Sequence, residues 1–209
     1  MEEDARLTVP HVRSALAGTD PWCASASATD RNAAVAIILH PGAAGLEVLL
    51  IRRATRAEDP WSGQMGLPGG RYEPADATLT DTAIRETREE TGVDLTQAEL
   101  LGCLDPVPAQ ARGRRVALVI RPFVFALSEA QPLGTSDEVD EALWCPLAPL
   151  YSGAWATTFR YEFDSHTLTL PAWNVGGRVV WGLTHAMLEM FARKLGIQPR
   201  RGQGPLAEA

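Results

Sequence analysis

Three glutamates crowd one short stretch of this chain: Glu86, Glu89 and Glu90, within Arg85-Glu86-Thr87-Arg88-Glu89-Glu90-Thr91-Gly92-Val93. Residues three and four apart lie on one face of a helix, so the spacing gathers the three carboxylates together. Like charges so close repel, and a helix that merely meets water gains nothing from them. A hard divalent cation bound by oxygen ligands removes the penalty. Ahead of the acids stands Gly69-Gly70, followed by the charged loop Arg71-Tyr72-Glu73-Pro74-Ala75-Asp76. Paired glycines let a chain turn tightly or let its backbone approach a ligand closely. The plainer reading is a solvated helix with an Arg85–Glu89 ion pair. Such helices rarely need a glycine corner in front of them.

The acids require a helix, and the sequence supplies one over Thr78 to Thr91. Thr78 and Asp81 resemble a capping pair, Ala83, Ile84 and Thr87 face a core, and Gly92 stops it. Leu7 to Leu16 reads as a short helix with Thr8 as cap and Pro10 in its first turn, and 24–31 reads as a loop. Ala33 to Leu39 and Leu46 to Ile51 read as strands of a hairpin turning through 40–45. Arg56 to Gly63 is a charged loop holding Trp61. Leu100 to Leu104, Val116 to Leu127 and Ala142 to Cys145 read as further strands, with Pro122 predicting an edge position or a bulge. Phe159 to Phe163 and His166 to Leu170 form another expected hairpin. Val179 to Leu195 is the second main helix, presenting Leu183, Met187, Met190 and Phe191 as its apolar face. The expected class is α/β, a mixed β-sheet between helices. The expected organisation is an extension over 1–31, one domain over 32–197 and a frayed tail over 198–209.

Composition narrows the functions. With 209 residues, 45% of them hydrophobic, the chain can bury one substantial core. A formal charge of −7 disfavours nucleic-acid binding, which needs a basic footprint. Cys23, Cys103 and Cys145 form neither a disulfide framework nor a zinc pattern. No apolar run follows the acidic first residues, and none is long enough for a membrane span. The expectation is a cytoplasmic chain without nucleic-acid or membrane partners. His11, His40 and His166 are assigned surface roles, and His185 is assigned to packing. Cys103 and Cys145 sit in strand-like apolar context and read as inert core thiols.

The segment resembles the Nudix box, G-x5-E-x7-R-E-U-x-E-E-x-G-U with U bulky and apolar. Arg85, Glu86, Glu89, Glu90, Gly92 and Val93 match its second half. Thr87 stands where a larger aliphatic residue is usual. Counting from Gly70, the acid of the motif arrives as Asp76, and eight residues rather than seven separate it from Arg85. With Pro68-Gly69-Gly70, this variant looks like the coenzyme A pyrophosphatase branch. Leu49 to Arg53, Ser62-Gly63-Gln64, Pro122-Phe123-Val124 and Trp181 to Thr184 extend the likeness. Trp61 stands about where a histidine is common, Leu67 replaces the usual Phe, and Asp59 stands near an expected arginine.

The resemblance implies a Nudix-like α/β/α sandwich that hydrolyses the diphosphate linkage of a small nucleotide substrate with Mg²⁺ or Mn²⁺. Coenzyme A or its acyl forms are the first expected substrates. ADP-ribose or another nucleoside diphosphate derivative is the alternative, and a non-catalytic nucleotide-binding domain a third reading. Glu86, Glu89 and Glu90 are the implied metal ligands. Glu89, Glu90 and the loop residue Glu138 are the implied catalytic groups, with Asp137, Asp140 and Glu141 competing for the last role. Asp76, Arg85 and Gly92 are structural within the motif. Arg53, Arg56 and Arg71, around Gly69 and Gly70, suit phosphate binding because guanidinium matches phosphate bidentately. Arg112-Gly113-Arg114-Arg115 is a basic loop with the same potential, and Trp61 or Trp155 offers a stacking face for adenine. Homodimers are common among the proteins it resembles.

Overall fold

A computed structural model describes residues 7–18, 31–56, 61–111, 114–163, 166–200 and 206–207. The readings at Cys23, 24–30, Asp59 and Arg112-Gly113 lie outside them. In chain order the elements are α1 (Val9–Leu16), β1 (Asn32–Gly42), β2 (Gly45–Arg53), β3 (Met65–Gly66), β4 (Gly69–Arg71), α2 (Leu79–Thr91), β5 (Glu99–Cys103), β6 (Val107–Ala111), β7 (Arg114–Ala126), β8 (Val139–Pro146), α3 (Leu147–Ser152), β9 (Ala156–Phe163), β10 (His166–Val175), β11 (Arg178–Val180), α4 (Gly182–Lys194) and β12 (Leu206–Ala207).

The larger sheet runs β3-β2-β1-β7-β5, with β4 also on β1, β6 on β7 and β8 on β2. It is mixed, because β1 and β7 pair in parallel while β1 and β2 are antiparallel. Alternation along β1 divides the core in two. Val35, Ile37 and Leu39 pack on one face with Val12 and Leu16 of α1, Leu147 and Leu150 of α3, and Met187, Leu188 and Phe191 of α4. Ala34, Ala36 and Ile38 pack on the other with Leu79 and Ala83 of α2, Phe123 and Phe125. Helices thus cover both faces, in the α/β arrangement that the sequence predicts. A smaller sheet, β11-β10-β9-β12, continues the chain beyond α3.

Several elements differ from expectation. β1 and β2 run on until Gly42 faces Gly45, so the hairpin turn is tighter than 40–45. That places His40 inside a strand and buries it, with Nε2 3.2 Å from Glu47 Oε2, instead of at the surface. β7 is central, not an edge. Pro122 is tolerated because its carbonyl accepts from Leu104 N–H where the neighbouring partner changes from β5 to β6; its missing N–H faces that break. Arg114 and Arg115 belong to β7 and pair with Ala111 and Gln110. Val179 and Val180 lie in β11, and the last helix begins only at Gly182. In the expected tail, Leu206–Ala207 pairs with β9.

Cys103 and Cys145 are buried, and neither is in a disulfide. Burial pushes the Cys145 thiol up to about 12, leaving almost no thiolate at mild pH. Alkylation of the folded chain at pH 8 should leave both residues unmodified by peptide mass mapping. Labelling of Cys145 at the rate of a free thiol would contradict this packing.

Candidate active site

Helix α2 carries the acids because both its ends are well made. Thr78 Oγ1 accepts from Asp81 N–H at 3.2 Å and donates to the Asp81 carboxylate at 2.8 Å. Gly92 closes the helix in the left-handed region, φ 73°, its N–H on Arg88 O at 2.9 Å. Thr87, where a larger aliphatic residue is usual, is fully buried and returns its hydroxyl to Ala83 O at 2.7 Å. The helix lies against β1 and β4, and this contact explains the paired glycines.

Gly69 has φ 147°, and a Cβ there would strike Ala34 O and the Val35 backbone. A Cβ on Gly70 would strike the Glu86 carboxylate. Stripped of side chains, the β4 backbone approaches α2 closely enough for Gly69 N–H to donate to Glu90 Oε2 at 2.8 Å. Glu90 is only 3% exposed. Burial pushes it up to about 8; the Gly69 N–H and Arg53, whose Nη1 is 3.9 Å away, pull the other way, while Glu86 and Glu138 add to the rise. Burial raises Glu86 too, against the pull of Arg85.

Arg85 holds the acidic face together. Its guanidinium grips both Asp76 oxygens, at 2.9 and 3.0 Å, and reaches Glu86 at 3.0 Å, Glu89 at 3.1 Å and Arg71 O at 3.1 Å. Asp76 also accepts from Glu73 N–H and Thr82 Oγ1. Burial opposes its charge, yet these donors hold it below the usual carboxylate range. The extra residue between Asp76 and Arg85 is therefore absorbed without breaking their contact.

Glu138 precedes β8 on a turn beside this cluster. Ala54 N–H donates to its carbonyl at 2.8 Å, and Arg56 donates to its carboxylate at 2.8 Å and to Asp137 O at 3.0 Å. Glu141 instead faces Arg178 and Arg52, with Arg178 Nε 2.8 Å from its carboxylate, and Arg178 lowers it.

All six residues expected to bind substrate, Arg53, Arg56, Trp61, Gly69, Gly70 and Arg71, line one cavity of about 460 Å³. Its apolar wall was not foreseen: Val35 from β1, Leu118 and Ile120 from β7, Leu183 and Met187 from α4. Their signals were legible singly, as strand alternation and a helix stripe, but nothing in the sequence said that these faces meet. Trp155 is not among the lining residues and packs against the core. His185 packs on Trp173, ring centroids 4.0 Å apart.

Among the described residues no three acid, His or Cys side chains are already gathered as a cation cage, and Arg85 engages both Glu86 and Glu89. The donor set still fits a hard divalent ion. Glu86 and Glu90 are carboxylates that burial drives toward protonation, and a cation reverses that preference.

The NUDIX domain family profile matches residues 30–164, and the chain belongs to this family. It is similar to the human mitochondrial coenzyme A diphosphatase NUDT8, 33% identical over 149 residues covering 71% of this chain and 62% of that one. With the uncharacterised Nudix hydrolase NudL of Salmonella paratyphi B it shares 29% over 201 residues, 94% of this chain and 100% of the other. An uncharacterised Schizosaccharomyces pombe protein is 43% identical over 122 residues, 56% of this chain and 36% of that protein. The chain thus spans about a third of the yeast protein and three-fifths of the human one. A MutT/nudix family protein from Enterococcus faecalis shares the fold, with TM-score 0.51 at 20% identity over 80% of this chain and 63% of that one. No helix among the described residues is long and apolar enough to cross a membrane.

Removing Asp76 leaves the largely buried Arg85 without its main partner. Asp76→Ala should destabilise the chain by on the order of 3 kcal/mol in urea unfolding at pH 7. A carboxyl held below its usual range contributes stability above its unfolded pKa and loses it as pH falls through the folded value. The gap between native and variant should therefore shrink in acid. A gap that stays constant with pH would separate Asp76 from this role.

Proposed function

We propose that the chain hydrolyses the diphosphate linkage of nucleoside diphosphate derivatives. Coenzyme A or an acyl-coenzyme A is the favoured substrate, giving 3′,5′-ADP and phosphopantetheine. One observation carries the reading: Glu86 and Glu90 abut Gly70 and Gly69, which line a cavity that also holds arginines and apolar side chains. A diphosphate bearing an apolar arm matches that mixed lining. The similarity to human NUDT8, named a coenzyme A diphosphatase, supports it.

In this reading Glu86, Glu89 and Glu90 hold Mg²⁺ or Mn²⁺, with Arg85, braced by Asp76, orienting them. When bound, the cation supplies positive charge for the diphosphate oxygens and acidifies a nearby water. Glu138 takes the proton as the water oxygen bonds to phosphorus and the bridging P–O bond breaks, the leaving phosphate departing with its electrons. Arg53, Arg56 and Arg71 orient the diphosphate. The bare β4 backbone admits it closely, and Trp61 offers adenine a stacking face. The same chemistry on ADP-ribose is the second reading, favoured by Trp61 in the cavity wall where a histidine is common.

A product-resolved assay with Mg²⁺ or Mn²⁺ across coenzyme A, ADP-ribose, NADH, diadenosine polyphosphates and nucleoside triphosphates tests this. Coenzyme A should yield 3′,5′-ADP and phosphopantetheine, and Glu90→Gln should lower kcat/KM by about a hundredfold or more. Intact substrates throughout, or a fully active variant, would end the hydrolase reading. Preference for ADP-ribose would end only the coenzyme A assignment.

A further inference from the structure

Arg56 belongs to two places at once. It lines the cavity, yet its guanidinium is engaged outside it, with Nη1 on the Glu138 carboxylate at 2.8 Å and Nη2 on Asp137 O at 3.0 Å. Both side chains are about half exposed, 47% for Arg56 and 53% for Glu138. Their pairing is therefore of the weak, exchangeable kind. The backbone around them is fixed. Ala54 N–H is on Glu138 O, Arg56 N–H is on Ser62 Oγ at 2.7 Å, and Glu138 N–H is on Ser136 Oγ at 3.2 Å. Only the side chains need to move for the guanidinium to change partners.

Glu138 also matters to the acids on α2. Burial is the main reason that Glu86 and Glu90 are raised, and the charge of Glu138 raises both further. Its carboxylate therefore lies within electrostatic reach of the cluster while bound to Arg56. A diphosphate is the better partner for Arg56, because it carries more charge and accepts bidentately from the planar fork.

We propose that Arg56 is a positioning residue that couples diphosphate binding to the release of Glu138. A diphosphate entering the cavity takes the guanidinium from Glu138, leaving that carboxylate unpaired beside the Glu86–Glu90 cluster. Binding the substrate and freeing the base are then one event. No bond is made or broken, and two anions exchange one cation. This rests on the hydrolase reading for its purpose, but the exchange can be measured without catalysis.

The probe is inorganic pyrophosphate, titrated calorimetrically in EDTA into the native chain, Glu138→Gln, Arg56→Gln and the double variant. Pyrophosphate carries the group common to every candidate substrate, so the outcome does not depend on which one is hydrolysed. Removing the competing carboxylate should tighten pyrophosphate binding about three- to fivefold when Arg56 is present, the scale of an exposed ion pair. In the Arg56→Gln background the same change should produce no gain. General repulsion between Glu138 and the probe predicts the opposite, a gain as large or larger without Arg56. An equal gain in both backgrounds, no gain in either, or no pyrophosphate binding by the native chain would overturn the proposal. Arg56→Ala serves as second variant, and unfolding midpoints close to native show that the half-exposed pair can be changed without loss of fold. A loss of coenzyme A hydrolysis with the exchange intact would strike the substrate assignment alone.

Discussion

A nearly buried carboxyl must find a donor or give up its charge, and Glu90 finds the backbone N–H of Gly69. That contact sets the distance between α2 and the sheet. It allows no side chain on either residue of the glycine pair, and it requires a backbone conformation at Gly69 that other residues rarely adopt. With β4 drawn so close, Glu86 is pressed against Gly70, so the same glycine pair touches the acids and lines the cavity. The first interaction thus decides where the others can be.

Arg85 answers the charge problem that this packing creates. It binds Asp76 with two parallel hydrogen bonds and still reaches two of the three glutamates. Asp76 in turn is tied to the loop ahead of the helix and to the helix itself, through Glu73 and Thr82. The acids are therefore mounted on a small rigid frame rather than on a bare helix. In the proposed site a cation arriving at the cluster would compete with this arginine, so Arg85 would both stabilise the acids and temper their affinity.

Much of this was readable in advance because it is local. The caps of α2, the grouping of its acids and the hairpin strands all follow from residues within a few positions of one another. Gly69-Gly70 announced a close approach, though the strand they form did not show itself. Two- and three-residue strands such as β3 and β4 have no periodicity and exist through pairing with β2 and β1. Val179-Val180 continued the apolar pattern of the helix that follows, so the boundary at Trp181-Gly182 was hidden. Pro122 argued soundly against a continuous ladder, but the interruption lies in the neighbouring strands. The cavity wall was the least visible part, since Ile120 and Met187 meet only after the whole sheet has formed.

Leu183, Thr184 and Met187 line the cavity from α4, beyond residue 164, where the match to the family ends. The acids on α2 and these lining residues thus come from stretches of chain about a hundred positions apart. In the proposed site, side chains on α4 can be exchanged without touching the glutamates on α2. Under that reading, selectivity is detachable from chemistry. The glutamate frame and the α4 side chains are then separate modules of one site.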